Sequence, residues 1–203
     1  MTWSMLLQTE RLILREFVAG DWPDLLAYKS DPRYLRFNPE REGSEARARE
    51  FVVMWLEQQA QLPRTQFQLA ITQRLLPGTE RSGRPIGNCG IRMKSPEASE
   101  ADIGYELAPA YWGQGLATEA ARAMVAFGFE TLRLHRIWSH CIAENFASAR
   151  VLEKLGMRLE GRLRENEWMK GRWWDTLLYA ALEHEWRPNE ATNRRSVDAG
   201  QAV

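Results

Sequence analysis

Residues 104 to 120 place an alternating stretch, Gly104-Tyr-Glu-Leu, ahead of a glycine-rich turn, Trp112-Gly-Gln-Gly-Leu-Ala-Thr-Glu-Ala. The residues after the turn carry apolar side chains at helical spacing (Ala121, Met124, Val125, Gly128 and Phe129). A strand that turns on glycine directly into a helix restricts the fold to a layered arrangement with the helix packed back on a sheet. It also exposes the helix start, where four backbone N–H groups lack intrahelical partners at the positive end of the dipole. Gly113 and Gly115 remove two side chains, so the main chain there can curl closely around a phosphate. That combination suits a pyrophosphate. It is not a P-loop, since no Gly-Lys-Ser/Thr follows, and a dinucleotide fingerprint would need glycine where Thr118 stands. A tight turn that uses glycine for its dihedrals alone is the competing reading.

The remaining pattern is that of one α+β domain with a central mixed sheet. Leu6–Phe17 alternates as a strand, with Leu12 and Leu14 on one face. Asp21-Trp-Pro opens a short helix to about Ser30, and Asp31-Pro32 breaks it. Ser44 begins a second helix with an apolar stripe at Ala48, Phe51, Val52, Trp55 and Leu56. Strands are predicted over 66–72, 85–94, 100–107 and 135–142, with a long hairpin loop at 73–85. A helix is expected over Asn145–Leu155, closed by Gly156. Two last strands, about 158–164 and 173–182, flank a turn at Lys170-Gly171. Nothing within 1–186 reads as a linker, so these residues form the expected domain, and 187–203 form a polar, disordered tail.

Charge and cysteine content narrow the function. Lys plus Arg equals Asp plus Glu, 27 each, so no net field draws nucleic acid or an anionic membrane. The N-terminus lacks the apolar h-region of a signal peptide, and no apolar run approaches the ~20 residues of a membrane helix. Cys89 and Cys141 have no metal spacing and read as small core residues. A cytoplasmic location is expected. His135 and His140 fall on opposite faces of one strand and make no metal pair. Nine tryptophans, spread from Trp3 to Trp186, read as packing residues.

Four segments in order resemble the GNAT superfamily of acetyl-coenzyme A-dependent N-acetyltransferases, in particular its ribosomal-protein alanine N-acetyltransferase branch. They are Thr9-Glu-Arg-Leu-Ile-Leu-Arg, Ile103 through Ala120, Asn145-Phe-Ala-Ser-Ala-Arg-Val-Leu-Glu-Lys-Leu-Gly-Met, and Gly171-Arg-Trp-Trp-Asp175. The resemblance implies a splayed sheet in which strands 100–107 and 135–142 part, with the thioester arm of acetyl-coenzyme A in the gap near Leu107. It implies main-chain contacts to the pyrophosphate from Trp112, Gly113, Gln114, Gly115, Leu116, Ala117 and Thr118. Trp112 stands where the wider superfamily prefers Gln or Arg. Asn145 is implied as a contact to the pantetheine arm, and it is also a favoured helix N-cap.

Direct transfer to a primary amine needs a neutral amine, an oxyanion donor and help for the departing thiolate. A protein α-amine has a reference pKa near ~8, so a carboxylate acting through water suffices as base. Glu167, by resemblance, and Glu106, by its place beside Leu107, are the two candidates. The backbone N–H near Leu107 is the expected oxyanion donor. The tyrosine that many superfamily members use as acid is replaced by Leu152, and Ser148, one turn earlier, is the expected partner of the sulfur. Arg162, Arg164 and Arg172 are candidates for a basic rim. The expected acceptor is a protein or peptide N-terminus; a small amine or a silent acyl-coenzyme A-binding module are the alternatives. The chain is expected to act as a monomer or homodimer, without metal.

Overall fold

The computed structural model describes residues 5–40, 42–74 and 83–186. The expected tail and most of the expected loop at 73–85 lie outside them. Eight strands make one mixed sheet in the order β1-β2-β3-β4-β5-β6-β8-β7. They are β1 (Leu6–Gln8), β2 (Leu12–Glu16), β3 (Gln66–Gln73), β4 (Gly87–Met93), β5 (Glu100–Leu107), β6 (Arg136–Ile142), β7 (Arg158–Met169) and β8 (Arg172–Leu182). Every neighbouring pair is antiparallel except β5 and β6. The expected single strand 6–17 is two, because Thr9 turns the chain: its N–H bonds the Leu12 carbonyl and its hydroxyl oxygen accepts from the Leu12 N–H, so β1 folds back on β2.

Helices cover both faces. On one lie α1 (Trp22–Lys29), α2 (Pro32–Leu35) and α3 (Glu45–Ala60). Their core joins Phe17, Leu25, Tyr28, Val52 and Trp55 to Ala70 of β3. Pro32 does end α1, but it also starts α2 at a position where its missing N–H costs nothing, with the Asp31 carboxylate accepting from the Arg33 N–H at 2.9 Å. Ser44 caps α3 through the Arg47 N–H at 3.2 Å. On the other face lie α4 (Leu116–Ala126), prolonged by a wider turn over Phe127–Thr131, and α5 (Phe146–Lys154). Leu116, Ala120, Met124 and Leu152 pack there on Leu14, Ile91, Ile103 and Ile137.

The final hairpin turns on Lys170 and Gly171, both at positive φ (57° and 82°), the conformation that matches the twist of two joined strands. It is longer than expected: β7 continues to Met169, past an irregularity between Leu163 and Glu167 that includes Glu165 at φ 50°. No helix among the described residues is long and apolar enough to cross a membrane.

Gly87 pairs with Leu107 at the end of β5, and a Cβ there would meet the Glu106 carbonyl oxygen at 2.2 Å and the Leu107 Cα at 2.9 Å. Both are backbone atoms and cannot swing aside. Gly87→Ala is therefore expected to destabilise the fold by about 1–3 kcal/mol, read as a lower urea midpoint at unchanged slope.

Candidate active site

Strands β5 and β6 run side by side for three residue pairs, Glu100 with Arg136, Ala101 with Ile137 and Asp102 with Trp138. Both strands then continue, to Leu107 and Ile142, without pairing. The Ser139 hydroxyl donates to the Ile103 carbonyl at 2.8 Å, so a side chain takes the place of the next ladder bond and the strands part beyond it. The Ala108 N–H bonds Ile86 on the β4 side. Alternation along the strand turns the Leu107 N–H and C=O the other way, into the gap. The Leu107 carbonyl is met there by the Trp112 indole N–H at 2.6 Å. The tryptophan side chain thus has its own task, beyond the main-chain contacts expected of that position.

The glycine turn lies at the mouth of the same gap. Gly113 and Gly115 have φ 75° and 77°, a region costly for other residues, and a Cβ on Gly113 would meet nothing within 4 Å. Glycine is required here for its dihedrals and also leaves open space. Gly115 is the N-cap of α4 and supplies no side-chain cap, and the first intrahelical bond is Glu119 N–H to the Gly115 carbonyl. The N–H groups of Leu116, Ala117 and Thr118 are thereby left for a ligand.

A clamp unforeseen in the sequence holds this turn. The Glu119 carboxylate accepts from the Thr9 hydroxyl (2.6 Å), the Arg11 main-chain N–H (2.9 Å) and the Arg11 guanidinium (2.7 Å). Arg11 also donates to the Gln114 carbonyl at 3.0 Å. Burial works to raise the Glu119 pKa, but the hydrogen bonds from Thr9 and Arg11 outweigh it and hold the carboxyl below its ordinary range. Thr9 and Arg11 belong to a segment that reads as a plain strand; a contact spanning over a hundred residues leaves no local signal.

On α5, the Asn145 side chain accepts from the Ser148 N–H at 3.2 Å, so the N-cap reading holds, and its amide N–H groups remain to donate. Ser148 lies in the cleft with its Oγ 3.0 Å from the Tyr105 phenol. Leu152 is fully buried in the core. Both cysteines are buried, and burial pushes Cys89 up to about 12 and Cys141 to about 11, so neither is a thiolate at neutral pH.

A cleft of about 940 Å³ joins these parts. Of the residues singled out from the sequence, Glu106, Leu107, Trp112, Gly113, Gly115, Leu116, Ala117, Thr118, Asn145, Ser148 and Glu167 line it. Gln114 does not: its side chain turns back to the Ala110 carbonyl at 3.2 Å. The three arginines expected at the rim do not line it either: Arg162 pairs with Asp175 (2.7 Å), Arg172 pairs with Glu144 (2.9 Å) and lies over the Trp174 ring, and Arg164 is exposed outside the cleft.

The lining of the cleft also includes three carboxylates in different states. Glu106 is bound by Lys29 Nζ at 2.7 Å and the Asn88 amide at 2.8 Å. Lys29 in turn donates to the Tyr34 hydroxyl at 2.6 Å and sits over the Tyr34 and Phe51 rings. Burial acts to raise the Glu106 pKa, but the Lys29 charge and the hydrogen bonds from Lys29, Asn88 and Tyr34 prevail and lower it. Asp102 is paired with Arg92. Glu167, half-buried and within β7 rather than after the strand, pairs with no cation among the described residues. His140 also lines the cleft, while His135 meets Glu183 at 3.2 Å. Among the described residues no three His, Cys, Asp or Glu side chains are placed to hold a metal ion.

Comparison with known proteins agrees with this geometry. The family model described as "Acetyltransferase (GNAT) domain" matches residues 11–158. The chain is 33% identical over 183 residues to the uncharacterized N-acetyltransferase p20 of Bacillus licheniformis, covering 89% of this chain and 97% of that one. The crystal structure of a GNAT-family acetyltransferase from Bacillus anthracis superposes with a TM-score of 0.74 at 31% identity, covering 89% and 99% of the two chains. The spermidine N-acetyltransferase of Vibrio cholerae, solved with CoA and spermine, shares the fold at 19% identity and a TM-score of 0.70, over 86% of this chain and 96% of that one.

The Glu119 clamp sets a pH dependence. A carboxyl whose folded pKa is depressed stabilises the fold above its unfolded pKa, and that contribution is lost as pH falls through the folded value. Glu119→Gln is expected to cost about 1–3 kcal/mol at neutral pH. The difference from the parent should close as pH drops below the ordinary value of 4.5, in denaturation curves taken at stepped pH.

Proposed function

We propose that this chain, which belongs to the acetyltransferase (GNAT) domain family and is an N-acetyltransferase of that type, takes acetyl-coenzyme A as donor and a single primary amine as acceptor, namely the N-terminal α-amine of a protein or peptide, as in the ribosomal-protein alanine branch. The observation that carries the reading is the meeting, in one cleft, of helix-start N–H groups, a parted strand pair and one carboxylate, the first and last without partners among the described residues.

The donor fits the chain's own residues. The turn at Gly113 and Gly115 with the N–H groups of Leu116, Ala117 and Thr118 makes an anion cradle suited to a diphosphate. Strand β5 beyond Ile103 offers main-chain groups along which an extended amide-bearing arm can lie, and Asn145 can donate to that arm. The Leu107 N–H faces the same space and is the donor for the oxyanion that develops when the amine adds to the thioester carbonyl. The Ser148 hydroxyl lies across the gap, where the sulfur departs.

The acceptor end favours one amine over a polyamine. Of the three cleft carboxylates, Glu106 and Asp102 already hold protein cations, and Glu167 remains. A polycation would call for several unpaired carboxylates. The same pairing chooses the base: Lys29 withdraws basicity from Glu106, whereas Glu167 is left to take the amine proton, directly or through water. An α-amine, with its low reference pKa, asks no more of it.

Two experiments test the reading. Purified protein should release thiol from acetyl-coenzyme A with peptides bearing a free N-terminal alanine and much less with spermidine; the reverse preference overturns the acceptor assignment. Glu167→Gln should lower kcat on the order of 10²-fold. The deficit should shrink as pH rises toward ~8, where the α-amine loses its proton unaided. In the same assays Gly115→Val should weaken coenzyme A binding by roughly tenfold or more, because positive φ costs a branched residue about 1–2 kcal/mol.

A further inference from the structure

Ser148 has a single hydroxyl proton, and several acceptors compete for it: the carbonyl of the N-cap Asn145 one turn back, the Tyr105 phenol oxygen, and any thiolate leaving the gap. A serine left to itself donates to its own helix. What surrounds Ser148 decides otherwise. Tyr105 lies two residues beyond Ile103 on the same face of β5, in the stretch where β6 no longer accompanies it. Its phenol oxygen reaches α5 and lies 3.0 Å from both the Ser148 main-chain carbonyl and the Ser148 Oγ.

We propose that Tyr105 is a positioning residue of the transfer: its phenolic O–H swings from the Ser148 carbonyl to the Ser148 Oγ as the thioester breaks, and so turns the Ser148 proton onto the departing sulfur. The proposal rests on the reading above that Ser148 meets that sulfur. Neighbouring groups leave this pair to the task. The Ser139 hydroxyl is committed to the Ile103 carbonyl, and position 152 offers only a leucine buried in the core. The swing is small, because both acceptors are equally distant from one rotating hydroxyl.

Tyr105 does not act as an acid. Burial raises its pKa well above that of ordinary tyrosine, so it keeps its proton and remains a donor. In the step itself the amine lone pair forms the C–N bond and the amine proton passes to Glu167 or water. The C–S bond breaks with its electron pair on sulfur, and the thiolate accepts a hydrogen bond from Ser148 Oγ, which accepts one from Tyr105. Both hydroxyls end with the protons they began with, and coenzyme A leaves as thiolate.

The test uses Tyr105→Phe, Ser148→Ala and the double variant. Tyr105→Phe should lower kcat roughly tenfold, the worth of one hydrogen bond, with KM for acetyl-coenzyme A within about twofold of the parent. The double variant should be no slower than Ser148→Ala, since the tyrosine acts through the serine. A merely structural tie would not move the thiol of bound coenzyme A, so its ultraviolet thiolate absorbance should be titrated on each protein. The pKa should lie higher on Tyr105→Phe than on the parent, while affinity for desulfo-coenzyme A stays equal. A fluorinated tyrosine installed at position 105 keeps the shape of the site should the phenylalanine variant not fold, and it should shift the bound thiol pKa downward. If Tyr105→Phe keeps parental kcat and thiol titration while Ser148→Ala loses both, or if the two losses add, the inference falls and the function stands. If Ser148→Ala itself changes neither, the assignment of the sulfur to Ser148 falls with it.

Discussion

The separation of β5 from β6 after three residue pairs is the constraint on which the site depends. A parallel pair in mid-sheet would ordinarily zip along its length, since unpaired buried N–H and C=O groups are costly. Here the Ser139 hydroxyl satisfies the Ile103 carbonyl, and the Trp112 indole satisfies that of Leu107. Beyond β6, β8 stays paired over seven residues, so the sheet remains one piece while it opens on one side. Two side chains therefore hold open a gap that main-chain bonding alone would close.

Around that gap the molecule divides its labour by face. One face carries α4 and α5, whose N-terminal ends point free backbone N–H groups and the Asn145 and Ser148 side chains at the opening. The other carries α1 to α3, whose side chains neutralise one carboxylate there: Lys29 from α1 reaches Glu106, within a surround of Tyr34 and Phe51. The glycine turn would be soft if left to itself. The Thr9–Arg11–Glu119 clamp ties it to the β1–β2 corner at the far edge of the sheet, which fixes the direction of the cradle. Pre-organising such a turn reduces what a ligand must spend in ordering it.

Much of the architecture was legible from pattern. Helices α3 and α4 follow from stripes at helical spacing, and β5 from strict alternation, with the bounds of β5 those of the sequence reading. Legibility ends where local signals compete. The alternation of 6–17 is continuous across Thr9, so the corner that divides β1 from β2 shows only once the Leu12 carbonyl is seen to bond back. The sequence reading ends a strand at about 164 and leaves Glu167 beyond it, yet pairing with β8 resumes at Glu167 and carries that carboxylate into the cleft.

The amino-acid order by itself determined the glycine turn and its helix, the order of the elements and the family to which they belong, because each rests on residues close together in the chain. Only the tertiary structure decided which carboxylate is unencumbered, where the Gln114 side chain goes and which hydroxyl faces Ser148. Lys29 and Glu106, Arg11 and Glu119, Tyr105 and Ser148 are each joined across tens of residues. Proton affinity and hydrogen-bond direction are set by such neighbours in space, and periodicity along a chain holds no information about them.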